Sequence, residues 1–210
     1  MKVLIACEYS GAVRDEFLKL GHDAMSCDLL PTDVPGPHYQ GDVFDIINDG
    51  WDLMIAFPPC THLALSGSQY FEAKRKDGRQ QEAIEFVKRL MLAPIDKIAI
   101  ENPMGVIPTF IRPYDQVIQP YEFGDPFQKS TCLWLKNLPK LTPTNIVHSG
   151  EFKEWIDKKT GKKKKQALWV YEALSNTGQA WKSRSKTFPG IAKAMADQWS
   201  KPGLIQAKLL

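Results

Sequence analysis

Short apolar runs alternate with amphipathic stretches along this chain, and their order predicts most of its elements. Val3–Ala6 is an apolar run that ends in the loop Cys7-Glu8-Tyr9-Ser10-Gly11. Val13, Phe17 and Leu20 then recur at i, i+4 and i+7, the face of a helix that Gly21 stops. Asp23–Asp28 reads as a second strand with an acidic end, and residues 29–41, rich in Pro, Gly and Asp, read as a loop. Asp42–Asp45 leads into a short helical piece, after which Leu53–Phe57 is strand-like. Residues 61–78 read as an irregular, polar, mobile loop. Between Arg79 and Leu92 the residues Ala83, Phe86, Val87, Leu90 and Met91 share one side, which predicts a helix, and Ile98–Glu101 returns as a strand. Strand and helix in this repeated order imply a parallel sheet with helices on both faces.

The later third changes character. Gln116–Phe123 and Thr131–Leu135 read as strands joined by a turn at Gly124-Asp125-Pro126, which predicts an antiparallel hairpin at the sheet edge. Residues 150–182 are weakly patterned around the run Asp157-Lys-Lys-Thr-Gly-Lys-Lys-Lys-Lys165, whose composition predicts a disordered loop. Phe188–Trp199 closes the chain as a helix with Ile191, Met195 and Trp199 on one face. No internal repeat or domain-sized linker is present, so the economical reading is one domain, 1–210, with a small insert at 137–182.

Composition narrows the class. The 210 residues are 43% hydrophobic and 24% charged, with a formal charge of +3, which permits an anionic partner without requiring one. The four cysteines, Cys7, Cys27, Cys60 and Cys132, show no paired spacing, so neither a disulfide framework nor a zinc site is expected. The first apolar run is too short for a signal peptide, and no stretch approaches membrane-spanning length. A soluble cytoplasmic protein is the expectation.

The chemistry concentrates at two abrupt strand ends. Trp51-Asp-Leu-Met-Ile-Ala-Phe-Pro-Pro-Cys60 ends in two prolines and a thiol, and Lys97-Ile-Ala-Ile-Glu101-Asn102-Pro103 ends in a carboxyl, an amide and a proline. A thiol nucleophile beside a carboxyl acid suits addition to a pyrimidine ring. A strand, a Gly-bearing loop, a helix and a strand ending in Asp28 form the opening unit of a nucleotide-binding α/β sheet. Cys7, Cys27 and Cys132 read as structural thiols, and His62 as part of the loop. The lysine run fits a solvated surface loop and a phosphate-binding surface equally well.

Phe57-Pro58-Pro59-Cys60 followed by Glu101-Asn102-Pro103 resembles the DNA cytosine-C5 methyltransferases, in a compact phage-type form. The resemblance implies a Rossmann-like, doubly wound mixed sheet of the class I S-adenosylmethionine-dependent methyltransferase type. It implies catalytic roles for Cys60, Glu101 and Asn102. It places Glu8, Tyr9, Ser10 and Gly11 against the methionine part of S-adenosylmethionine, Asp28 and Leu29 at the ribose, and Asp42 and Val43 at the adenine. Phe57 and Pro58 complete the implied cofactor set. Lys129 and Thr131 would support a flipped base, while Lys162, Lys163 and Arg184 would meet DNA. The sequence departs from the family at Thr61, where a glutamine is usual, and near Gln128-Lys129. The implied partner is DNA, without metal or membrane, bound by a monomer or weak dimer. The short insert leaves specificity relaxed or supplied by an accessory partner. Two alternatives stay open: the same mechanism on RNA, a free nucleotide or with a modified donor such as a carboxymethyl one, and a catalytically silent DNA-binding protein.

Overall fold

The computed structural model describes residues 1–175 and 186–201. Seven strands form one sheet: β1 (Lys2–Ala6), β2 (Asp23–Asp28), β3 (His38–Gln40), β4 (Leu53–Ala56), β5 (Lys97–Pro103), β6 (Gln116–Ile118) and β7 (Thr131–Lys136). Their spatial order is β3-β2-β1-β4-β5-β7-β6. Neighbours from β3 to β5 run parallel, and β7 is antiparallel to both β5 and β6. The chain winds outward from β1 through β2 to β3, then resumes on the other side of β1 at β4. That reversal makes the sheet a doubly wound, Rossmann-like one, with its ligand crevice expected at the carboxyl ends of β1 and β4.

Alternation within the strands sets the two cores. Leu4, Ala6, Met54, Ala56, Ile98, Ile100 and Trp134 face α3 (Arg79–Met91), which contributes Ile84, Val87 and Leu90. Val3, Ile5, Leu53, Ile55, Ala99 and Leu133 face α1 (Ala12–Lys19) and α6 (Pro189–Trp199), through Val13, Phe17, Ile191, Met195 and Trp199. Strands buried on both faces show continuous apolar sequence rather than alternation, as β1 and β4 do. Leu20, expected on the buried face of α1, instead caps the helix and is 45% exposed.

Several segments are more ordered than the sequence suggests. The loop 29–41 contains β3, which pairs with β2 from Ser26↔His38 to Asp28↔Gln40. Residues 61–78, expected as a mobile loop, hold a 3-10 turn at Leu65–Tyr70 and α2 (Phe71–Lys76). The segment Gln116–Phe123 splits into β6 and a 3-10 turn at Pro120–Glu122. The lysine run also differs from expectation. Its carboxyl half is β9 (Lys163–Ala167), paired antiparallel with β8 (Phe152–Ile156), and its amino half is the connecting turn. Asp157 shapes that turn by accepting hydrogen bonds from the Lys159 and Thr160 amides at 3.0 and 2.9 Å. The hairpin leads into α5 (Leu168–Ser175), and α4 is the single turn Ile107–Phe110.

Candidate active site

β4 stops because Pro58 and Pro59 bring no amide hydrogen to the ladder. Pro58 is buried, whereas Pro59 and Cys60 emerge into solvent. The Cys60 carbonyl then accepts hydrogen bonds from the Leu63 and Ala64 amides at 3.0 and 2.9 Å, closing a tight turn directly after the thiol. That turn is stitched to the end of β5. Leu65 N donates to Met104 O and Val106 N to Leu63 O, both at 2.9 Å. Gly105 makes this approach possible, because a Cβ there would lie 2.3 Å from the Leu63 carbonyl oxygen.

Asn102 ties the two strand ends together. It is 1% exposed, and its Nδ2 donates to Pro58 O at 2.8 Å. Among the described residues its Oδ1 is buried without a hydrogen-bond partner. Glu101 is half-buried beside it. Burial pushes the Glu101 carboxyl above the ordinary glutamate range, opposed by the positive charge of Lys129 and a hydrogen bond with the Thr131 side chain. The register Pro103↔Thr131 and Glu101↔Leu133 across β5 and β7 brings this group together. Cys60, Glu101, Asn102, Lys129 and Thr131 thus converge on the carboxyl ends of β4 and β5.

A cavity of about 370 Å³ opens alongside. Asp28, Leu29, Asp42 and Val43 line it, together with Cys7, Cys27, Pro59, His62, Glu82 and Phe86. Burial, reinforced by the Asp28 carboxylate, pushes the Cys27 thiol up to about 12. The Cys7 thiol is driven up by the same two causes. Both therefore stay protonated and inert. Asp28 is itself shifted upward by burial, against hydrogen bonds from the Leu30 and Leu29 amides.

The glycine loop does something different. The Glu8 carboxylate is turned into the amino end of α1, accepting from Val13 N at 2.8 Å, Arg14 N at 3.4 Å and Ser10 Oγ at 3.2 Å. It satisfies helix amides that have no intrahelical acceptor. Neither it nor Tyr9, Ser10 or Gly11 lines the cavity. Phe57 packs against the core that α1 and α6 share, and Pro58 is buried beneath the turn. Arg14, fully buried, was not legible as a structural residue. Its guanidinium donates to Ser26 Oγ, Thr32 Oγ1, Val34 O and Pro35 O, pinning the 29–37 loop over α1. Glycine is needed at positions 11 and 36, where a Cβ would come within 2.6 Å of that group.

The expected nucleic-acid residues fall in two places. Lys129 and Thr131 lie at Glu101. Lys162 is in the hairpin turn, and Lys163 on β9 pairs with Glu154 at 2.7 Å. Trp169, at the start of α5, donates through Nε1 to Gln128 O at 3.2 Å and contacts the Phe127 and Phe188 rings. The hairpin is thereby anchored next to Lys129. Arg184 lies outside the described residues.

No protein-family model matches the chain, and no curated protein is significantly similar to it. Among solved structures, it is similar to a prophage-encoded E. coli protein described as a "putative DNA modification methyltransferase", with a TM-score of 0.47 and 16% identity. The likeness covers 82% of this chain, which spans 63% of the length of the other.

Proposed function

We propose that the chain is an S-adenosylmethionine-dependent DNA methyltransferase acting at C5 of cytosine, with weak sequence preference. The observation that carries this reading is the convergence of an exposed thiol, Cys60, and a carboxyl held above its ordinary range, Glu101, on adjacent strand ends that Asn102 locks together.

The residues around the cavity fit the cofactor. Asp28, at the end of β2, offers a carboxylate suited to a ribose diol, and Val43 and Phe86 offer apolar surface for a purine. When bound, S-adenosylmethionine would supply an electrophilic methyl group. Every other requirement falls to the chain. The Cys60 thiolate adds to C6 of the ring, which makes C5 an enamine-like nucleophile. The Glu101 carboxyl, in the protonated form that burial favours, donates to N3 and stabilises the adduct. After C5 has taken the methyl group, its proton passes to water, the C6–S bond breaks to release the Cys60 thiolate, and N3 returns its proton to Glu101. The base must leave the duplex first, at a cost of a few kcal/mol, and the lysine hairpin offers phosphate contacts to hold the strand. With only residues 137–182 in the place of a recognition domain, base reading is short.

The test is a denaturing gel of the protein incubated with labelled S-adenosylmethionine and duplex DNA containing 5-fluorocytosine. Fluorine cannot leave as a proton does, so a covalent complex should accumulate and vanish in Cys60→Ala. Cofactor binding without an adduct would shift the reading to another substrate or donor, and no cofactor binding would end it.

A further inference from the structure

Lys74 is a buried cation that the mechanism above does not use. It sits on α2 at 7% exposure, and its Nζ donates to the carbonyl of Thr61, the residue after Cys60, at 2.5 Å. The faces of Tyr70 and Phe71 flank it at 5.9 and 6.0 Å. Gly67 leaves room for it, since a Cβ there would approach Nζ to 3.4 Å. Among the described residues no carboxylate lies within ion-pair distance of it, and only one of its three donors finds an acceptor.

Other charged groups near the turn have partners of their own. Arg79 is paired with Asp77, Lys76 with Glu72, and Lys129 acts on Glu101. His62 lies within the turn and gives its carbonyl to Gln80 Nε2 at 3.1 Å, while its ring Nδ1 is buried without a hydrogen-bond partner among the described residues. Burying an ammonium without a counter-ion is unfavourable, and such a fixed charge is useful where negative charge develops during a reaction. Thr61, whose carbonyl the ammonium holds, directly follows Cys60 in the chain, so the clamp acts one residue from that thiol.

We propose that Lys74 is the positioning residue of the nucleophile: it clamps the turn after Cys60 and supplies the positive charge that favours the thiolate over the thiol. The proton passes to solvent, to which Cys60 is exposed. The proposal rests on the reading of Cys60 as nucleophile for its purpose, but its physical content can be measured without DNA or cofactor.

The experiment is iodoacetamide alkylation of the full chain across about pH 6 to 10, with peptide mapping to separate Cys60 from the other three cysteines. Sulfur displaces iodide, so the rate follows the thiolate fraction. Wild-type Cys60 should titrate below the ordinary thiol value of about 8.5. In Lys74→Met the midpoint should rise by about one unit, slowing alkylation at neutral pH roughly tenfold, while Lys74→Arg should keep the wild-type midpoint. The alkylation profile is also to be taken in His62→Gln, where the Lys74 effect should persist. A wild-type midpoint at or above the ordinary value overturns the proposal even if Lys74→Met fails to fold. So does an unchanged midpoint in a folded Lys74→Met. Failure of the methyl-transfer reading looks different: a shifted alkylation profile with no fluorocytosine adduct leaves the Lys74–Cys60 coupling standing.

Discussion

Glu101 and Asn102 are consecutive residues in different situations: burial raises the pKa of one carboxyl, and the other side chain holds a loop through Pro58 O. Because burial raises the Glu101 pKa, the protonated form is favoured in the fold. Its stabilising contribution is full below the ordinary glutamate value and is lost as pH rises through the raised one. Glu101→Gln should therefore gain stability relative to wild type as pH climbs, in thermal melts at several pH values, while turnover falls by about 10²- to 10⁴-fold. Asn102→Ala removes the donor to Pro58 O and should cost about 1–3 kcal/mol in denaturant unfolding, because that carbonyl is left unsatisfied in a buried place. Cys60 and Glu101 were legible as candidates because each ends an apolar run with an abrupt proline motif. Arg14 and Lys74 were not. Arg14 is a cation inside an amphipathic helix and so reads as solvent-facing, and Lys74 falls in a stretch that reads as a polar loop; only the segments folded over them reveal otherwise.

At the scale of elements, the site depends on a seam between two loops rather than on either strand alone. Gly105→Ala should break that seam, since the new methyl group meets the Leu63 carbonyl at 2.3 Å. We expect trapping of 5-fluorocytosine to fall at least tenfold, with the backbone around Leu63–Leu65 losing hydrogen-exchange protection and the β1–β2 protection unchanged. Glu8→Ala should destabilise the chain by about 1–2 kcal/mol in urea unfolding, as expected when an amino-terminal cap is removed. The strands at the sheet centre could be read from sequence because burial on both faces writes a continuous apolar run. β3 could not, since its three residues lie in a Pro- and Gly-rich stretch and are fixed by pairing with β2. β9 hides for another reason. Three of its five residues are lysines, so its strand identity comes from β8 across the ladder and not from its own pattern.

At the scale of the whole molecule, the uneven spread of charge matters more than its sum. Residues 151–167 carry seven lysines against three carboxylates, a surplus of four, whereas the whole chain has a surplus of only three. Replacing Lys163, Lys164 and Lys165 by Gln should weaken DNA binding and lower the slope of log affinity against log salt by about 0.9 for each phosphate no longer neutralised. Thermal stability should barely change, because these side chains are exposed and the hairpin lies apart from both cores. The remainder of the protein, with twenty basic and twenty-one acidic side chains, is very slightly repelled by a polyanion. A field so divided exerts a torque: the molecule turns as it nears a polyanion, and first touch falls on the hairpin. Raising the salt would then scramble the angle of arrival as well as slow the arrival, so that more encounters end with Cys60 facing away.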